Sequence, residues 1–306
     1  MASDADDPAE RSARRPVDAR ALAAVVRRLQ RAPAAPWLHG EVARRMAERL
    51  PVIKREPAVV AQWWAHLGAS GPVLARIYPK ARQLWIEPDA GRRDADARAL
   101  TAPWWSPARW SGPAAEALLE SSVGAGAAQL LWSNMGLHFA PDPQAVMRRW
   151  HRVLEVDGFL MFSTLGPGSL TLLREVYQVE RWPAPHAPFV DMHDLGDMLV
   201  EAGFADPVMD QETITLTWAS PQALLAELRQ IGGNAAPQRH GGLRTPRWRQ
   251  RLEALLHERA GPDGRIALGF EVVYGHAFRP APRVRMTAET ALPLTDLRSM
   301  IRAGRR

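Results

Sequence analysis

The stretch from Ala125 to Leu173 constrains the fold more than any other part of the chain. Ala128 to Trp132 is a short apolar run ending at a polar pair, Ser133-Asn134, the pattern of a buried parallel strand closed by turn residues. Pro141 and Pro143 stand where a helix can begin, and Val146, Trp150, Val153 and Leu154 then recur at helical spacing. Asp157-Gly158 is expected to break that helix. Phe159 to Phe162 read as a second buried strand, and Gly166-Pro167-Gly168 leads into another helix. Strand, helix and strand joined by loops of these lengths make a βαβ unit, with parallel strands and a right-handed crossover. Ligands of open α/β sheets gather beyond the carboxyl ends of the strands. The segments Ser133–Phe139 and Ser163–Ser169 are therefore the expected edges of a site.

The rest of the chain is read outward from that unit. Residues 1–19 are expected to be a disordered tail and 20–57 to hold N-terminal helices, with Trp37, Val42, Met46 and Leu50 at helical spacing in the second. Ala58 to Trp64 is a candidate first strand. A loop from His66 to Gly71, a helix from Pro72 to Ile77 and a strand from Gln83 to Ile86 follow, closed by the acid Glu87. Strand, glycine-bearing loop, helix, strand and acid is the order of a nucleoside-binding Rossmann half. There the loop glycines let backbone approach the ligand, and the acid receives ribose hydroxyls. A third strand is expected between Arg92 and Gly124, but Trp104, Trp105 and Trp110 lie among prolines with no period that places it. Beyond Tyr177 come a Pro-rich bridge (Arg181–Pro188), a helix from His193 closed by Gly203, and an alternating strand from Val208 to Trp218. A helix from Pro221 to Ile231, a basic loop over 234–245, a helix from Pro246 to Arg259 and a final strand from Ile266 to Phe278 complete the pattern. The main domain is thus expected over 58–280, with a cap inserted at about 219–262 and a loose tail over 281–306.

Composition removes several classes of chemistry. The chain of 306 residues has no cysteine, which rules out disulfides, thiolate-bound zinc, iron–sulfur clusters and a thiol nucleophile. No apolar run approaches membrane-spanning length, and the first twenty residues lack the apolar segment of a secretory signal, so a cytoplasmic protein that does not enter membranes is expected. A net charge of +6 suits an acidic partner. No basic stripe carries interleaved aromatics, so a nucleic-acid partner is not expected. His151, His186 and His193 lack metal-ligand spacing, and no metal is assigned. Ser163 and Ser169 sit outside any Gly-x-Ser-x-Gly context, which argues against a hydrolase nucleophile.

The run from Leu130 to Tyr177 resembles the central part of class I S-adenosylmethionine methyltransferases, and more narrowly the malonyl-acyl-carrier-protein O-methyltransferases of biotin synthesis. Ser133-Asn134 is similar to their strand-four motif and Phe162-Ser-Thr-Leu-Gly-Pro-Gly-Ser169 to the motif after strand five. Pro188–Leu195, Ala202-Gly-Phe204, the run ending at Gly232-Gly-Asn234, and Val273-Tyr-Gly-His276 fit as well, so the resemblance covers roughly 41 to 280. It implies an α/β, Rossmann-like class I methyltransferase: a mostly parallel sheet, helices on both faces and a helical cap. The family ends strand one with an acid and continues Gly-x-Gly-x-Gly. Here the acid position falls on Gln62, and the glycine positions on Trp64, His66 and Gly68. A Trp or His adds a side chain where cofactor approaches backbone, and it resists φ > 0. Gln129 stands where the family usually starts strand four with Asp.

The resemblance implies S-adenosylmethionine as cofactor, with Gln62, Gly68, Glu87, Ser133 and Asn134 around it. It implies an acceptor pocket near His138, Tyr177, Asn234 and an arginine, Arg174 or Arg229, and a malonyl group on acyl carrier protein as substrate. A carboxylate acceptor is already ionised at neutral pH, so no general base is needed and no residue is assigned a catalytic role; the chain supplies orientation and a positive clamp. Two further readings stay open: a methyltransferase with another acceptor, and a non-catalytic member that has lost the cofactor. Trp64 and His66 discriminate among the three.

Overall fold

The computed structural model describes residues 15–100 and 115–282; Trp104, Trp105 and Trp110 lie outside them. Seven strands form one sheet: β1 (Val59–Trp63), β2 (Arg82–Glu87), β3 (Ala115–Leu119), β4 (Ala128–Ser133), β5 (Leu154–Leu165), β6 (Ala205–Trp218) and β7 (Ile266–Phe278). Their order is β3-β2-β1-β4-β5-β7-β6. Strands β1 to β5 pair in parallel, and β7 runs antiparallel between β5 and β6. The strand order reverses between β1 and β4, which is where an open α/β sheet places its ligand crevice.

Strand alternation divides the core in two. On one face Val60, Leu130, Trp132, Phe159 and Met161 meet Leu38, Val42 and Met46 of α2 (Trp37–Ala47) and Leu74 of α4 (Gly71–Ile77). On the other, Ala61, Leu131, Leu160 and Phe162 meet Trp150 of α6 (Pro143–Val153) and Leu195 and Leu199 of α8 (Met192–Glu201). Residues one apart on a strand point to opposite faces, so the continuous apolar runs of β4 and β5 are what a sheet covered on both sides requires. The remaining helices are α1 (Ala19–Arg31), α3 (Ala65–Gly68), α5 (Ala90–Leu100), α7 (Thr171–Val179), α9 (Pro221–Ile231) and α10 (Pro246–His257). Helices α9 and α10 lie between β6 and β7, the stretch expected as a cap.

Three sequence expectations change. Of the tail expected over 1–19, residues 15–19 are described and are not loose: Arg15 is buried and its N–H donates to the Pro141 carbonyl at 2.9 Å. The helix expected to run to Asp157-Gly158 ends at Val153, and those two residues lie inside β5. The reason is a bulge: Ala128 pairs with Leu154 but Leu130 pairs with Phe159, and Asp157 takes φ 64° to absorb the extra residues. The loop expected from His66 contains the short helix α3. The strand that the sequence did not place is β3, whose Ala-Glu-Ala-Leu-Leu pairs along β2 from Ala115 to Leu119 at the edge of the sheet.

Gly275 of β7 sits where a Cβ would overlap the Phe162 ring and stand 3.0 Å from the Met209 sulfur. Gly275→Ala is expected to destabilise the fold by about 1–3 kcal/mol, the usual cost of overpacking, seen as a lower urea midpoint with an unchanged slope.

Candidate functional site

The two loops singled out by the sequence meet at the carboxyl edge. The Met135 N–H donates to the Ser163 carbonyl and hydroxyl, both at 3.1 Å. Asn134, fully buried, joins three elements there. Its amide donates to the carbonyls of His39 (2.7 Å) and Gly68 (2.6 Å), and its own carbonyl accepts from Ser163 Oγ (2.7 Å). Asn134 and Gly68 are therefore brought together, with the Asn134 amide satisfied by protein. Ser133 is buried beside them with no hydrogen-bond partner for its hydroxyl. Gln62 turns sideways in the sheet, donating to Gln83 Oε1 on β2 at 3.0 Å. Gln129 also acts within the scaffold, accepting from Val59 N–H (2.7 Å) and donating to Glu155 (2.9 Å).

Glu87 ends β2, where a nucleoside-binding acid belongs, and it is fully buried. Its Oε1 accepts the His66 N–H at 2.8 Å, so the loop after β1 closes over it. Its second oxygen and Asp96 Oδ2 are buried without a donor, and Asp96 itself pairs with Arg92. Burial, with Asp96 alongside as neighbouring charge and hydrogen-bond partner, pushes the Glu87 carboxyl up to about 9. A proton on that carboxyl supplies the donor that the two facing acids lack.

Trp64, the first glycine position, follows β1 in the left-handed region at φ 56°, ψ 56°. Its N–H donates to Ile86 O at 2.7 Å, its carbonyl accepts Gly68 N–H at 2.8 Å, and its indole Nε1 donates to Glu120 just after β3. The six-membered ring lies over Gly136, where a Cβ would be 3.6 Å from it, after β4. It also packs on the cluster of Leu22, Leu67 and Phe139. With side chains placed this way, the crevice above β1 does not fit a nucleoside: the indole stands in it, and Glu87 is already engaged by His66 and Asp96.

A separate cavity of about 300 Å³ opens beside that crevice, past Phe139. Leu165, Leu170, Leu173 and Phe270 form apolar walls, and Arg15, Arg28, His138, His186, Arg229 and Asn234 supply the polar lining. Among the described residues, no carboxylate lines it. Arg15 spends its donors on carbonyls: His138, Ala140 (3.3 Å) and Pro188 (2.6 Å). Burial lowers it to about 10, so it remains a cation at neutral pH. Arg28, reaching from α1, donates to the carbonyls of Arg229 and Gly232, and the neighbouring Arg229 charge adds to burial in lowering its pKa. Among the described residues, neither Arg15 nor Arg28 nor Arg229 has an ion-pair partner. His138 lies on Phe139 with ring centroids 4.1 Å apart, and its Nδ1 is buried without a partner. Burial, then the charges of His39 and Arg15, hold it well below the usual histidine range, hence neutral.

His138, Arg229 and Asn234 thus share one cavity. Asn234 is used by the backbone, donating to Ala184 O and accepting from Ala236 N–H. Tyr177 stands elsewhere, against Trp182 and Trp248 with centroids 5.3 and 6.2 Å away. Arg174 is half-buried and bonds Thr171 Oγ1 at 3.3 Å, outside the cavity lining. Arg15, Arg28, Asp96 and Glu120 escaped sequence reasoning. Arg15 fell in an expected tail, Arg28 sits in a helical pattern where a charge reads as solvated, Asp96 lies in the stretch from Arg92 that had no legible period, and Glu120 follows the strand hidden in the same stretch.

Because Glu87 holds its proton more tightly folded than unfolded, the folded chain loses relative stability as pH rises from 4.5 towards about 9. His39 is lowered to about 4, and an unfolded histidine titrates near 6.5, so the histidine contribution is complete by about pH 7. Between about pH 7 and 9, stability measured by urea unfolding should fall in the wild type and stay nearly level in Glu87→Gln. Equal slopes would show that Glu87 ionises normally.

No family model matches the chain. The malonyl-(acyl-carrier protein) O-methyltransferase of Laribacter hongkongensis is 39% identical over 258 residues, covering 81% of this chain and 84% of that protein. The protein of the same name from Gallionella capsiferriformans is 36% identical over 253 residues, covering 81% and 86%. Among solved structures, the YcgJ protein of Bacillus subtilis aligns with a TM-score of 0.51 at 10% identity, over 79% of this chain and 99% of that one. A methyltransferase-like protein of Bacillus halodurans aligns at 0.50 and 12% identity, over 77% and 99%. At such identities the two structures speak to the fold, and their fold is the class I methyltransferase sheet described above.

Proposed function

The chain belongs to the malonyl-(acyl-carrier protein) O-methyltransferase family, and from that premise we propose that it methylates the free carboxylate of a malonyl thioester carried on acyl carrier protein, in the cytoplasm. The observation that carries this reading is the arginine-lined cavity at the carboxyl edge of β4 and β5. An apolar chamber with three arginines and two histidines, and no carboxylate among its described lining residues, favours an anionic ligand with an uncharged stem. A malonyl group has that form: one ionised carboxylate at the far end of a short acyl chain.

The methyl donor in this reading is S-adenosylmethionine, which supplies an already activated methyl group. The acceptor carboxylate needs no proton removed, so the work of this chain is to hold it. Arg229 and Arg28 at the mouth offer charge-assisted hydrogen bonds. Buried Arg15 adds a fixed positive charge that no acid among the described residues pairs with. Neutral His138 presents an imidazole nitrogen for orientation. An excess of cations at a cavity mouth also raises the encounter rate with an acidic carrier protein, an effect that salt weakens.

The test is methyl transfer to malonyl-acyl carrier protein, followed by mass of the carrier. Arg229→Ala should raise KM for the carrier substrate by about tenfold, the loss expected of one charged hydrogen bond, with kcat little changed. No methyl ester from the wild type at any carrier concentration would overturn the assignment.

A further inference from the structure

Trp64 occupies a glycine position in a conformation that suits glycine. At φ 56°, ψ 56° its Cβ is strained, so surrounding contacts must hold it there. They are specific. The indole Nε1 donates to Glu120 after β3, and the ring covers Gly136 after β4. In the sheet, β3 and β4 lie on opposite sides of β1, so the side chain is anchored across the crevice that the strand-order reversal creates. Beneath it, Glu87 takes the His66 N–H on one oxygen, and Asp96 lies beside the other, which has no donor. Above it, α2 is tied to the same loop, with His39 Nδ1 2.8 Å from the Leu67 carbonyl and the His39 carbonyl accepting from Asn134.

We infer that Trp64 sets the affinity of this chain for its methyl donor, because its indole fills the place of the nucleoside and the donor binds only when the ring is displaced. This rests on the methyltransferase reading above and adds the residue that limits it. A ligand that needs a minor open state binds more weakly by the fraction of time that state exists. Releasing the indole should therefore tighten binding without adding any contact to the ligand. The same displacement frees the His66 loop from Glu87, which makes the acid accessible to ribose hydroxyls.

The test is titration calorimetry with S-adenosylhomocysteine, the demethylated and stable form of the donor, on wild type, Trp64→Gly and Glu120→Ala. Glycine takes the left-handed conformation freely, so Trp64→Gly keeps the backbone and empties the crevice. Glu120→Ala keeps the indole but removes its acceptor, and it serves as the independent variant if the glycine chain unfolds. Binding should be at least about tenfold tighter in Trp64→Gly and intermediate in Glu120→Ala. Affinity that is unchanged or weaker in both variants, with the wild type binding, overturns the inference alone and leaves the methyltransferase reading standing; a weaker Trp64→Gly would make the indole a stacking platform. No binding to wild type or to either variant overturns both, since an emptied crevice would still reject the nucleoside.

Discussion

Asn134 carries the junction on which the carboxyl edge of this sheet depends. One buried amide group holds α2 through His39, the loop after β1 through Gly68, and β5 through Ser163. The Asn134 amide itself has both its donor and its acceptor satisfied inside the protein, and a buried polar group left unpaired costs about 1–3 kcal/mol. The helices that precede the sheet are therefore not merely laid over it. They are tied by hydrogen bonds to the crevice between β1 and β4, and the same ties hold the loop containing Trp64 in place.

Two adjacent volumes at that edge have opposite characters. The volume above β1 is filled by the chain itself: an indole, a carboxyl engaged by a backbone N–H, and a second carboxyl paired with Arg92. The volume beyond Phe139 is open, apolar and positive. The contrast has an electrostatic logic. In the first, acids outnumber cations and are neutralised by burial and pairing. In the second, arginines bond to carbonyls, which satisfy their donors and leave their charge intact. Carbonyl-bonded guanidinium groups are stable in a wall and still attract an anion.

The sequence was most legible where burial imposes a period. The runs that became β4 and β5 are continuous because both faces of the sheet are covered, and β6 alternates from Val208 to Trp218 because it is not buried throughout. The loops Ser133–Phe139 and Ser163–Ser169 followed from the βαβ unit and do meet. Legibility failed where local pattern and tertiary use part. β3 is an edge strand with little burial, so no apolar run marks it. Leu154 fits a helical period and a strand equally well, and its pairing with Ala128 decided between them.

The resemblance to a family of methyltransferases, a βαβ unit with two loops at its carboxyl edge, and the unusual Trp64 and His66 at glycine positions were written in the order of residues, because strand burial and loop chemistry act over a few neighbours; the strand order that reverses between β1 and β4 came from the fold. What Trp64 does there was decided by tertiary structure: its acceptor Glu120 is 56 residues away, beyond the reach of any local pattern. The cavity was decided in the same way. Arg15 meets the Pro188 carbonyl across 173 residues and Arg28 the Gly232 carbonyl across 204. A set of like charges exists as a feature only once the fold has brought them around one space.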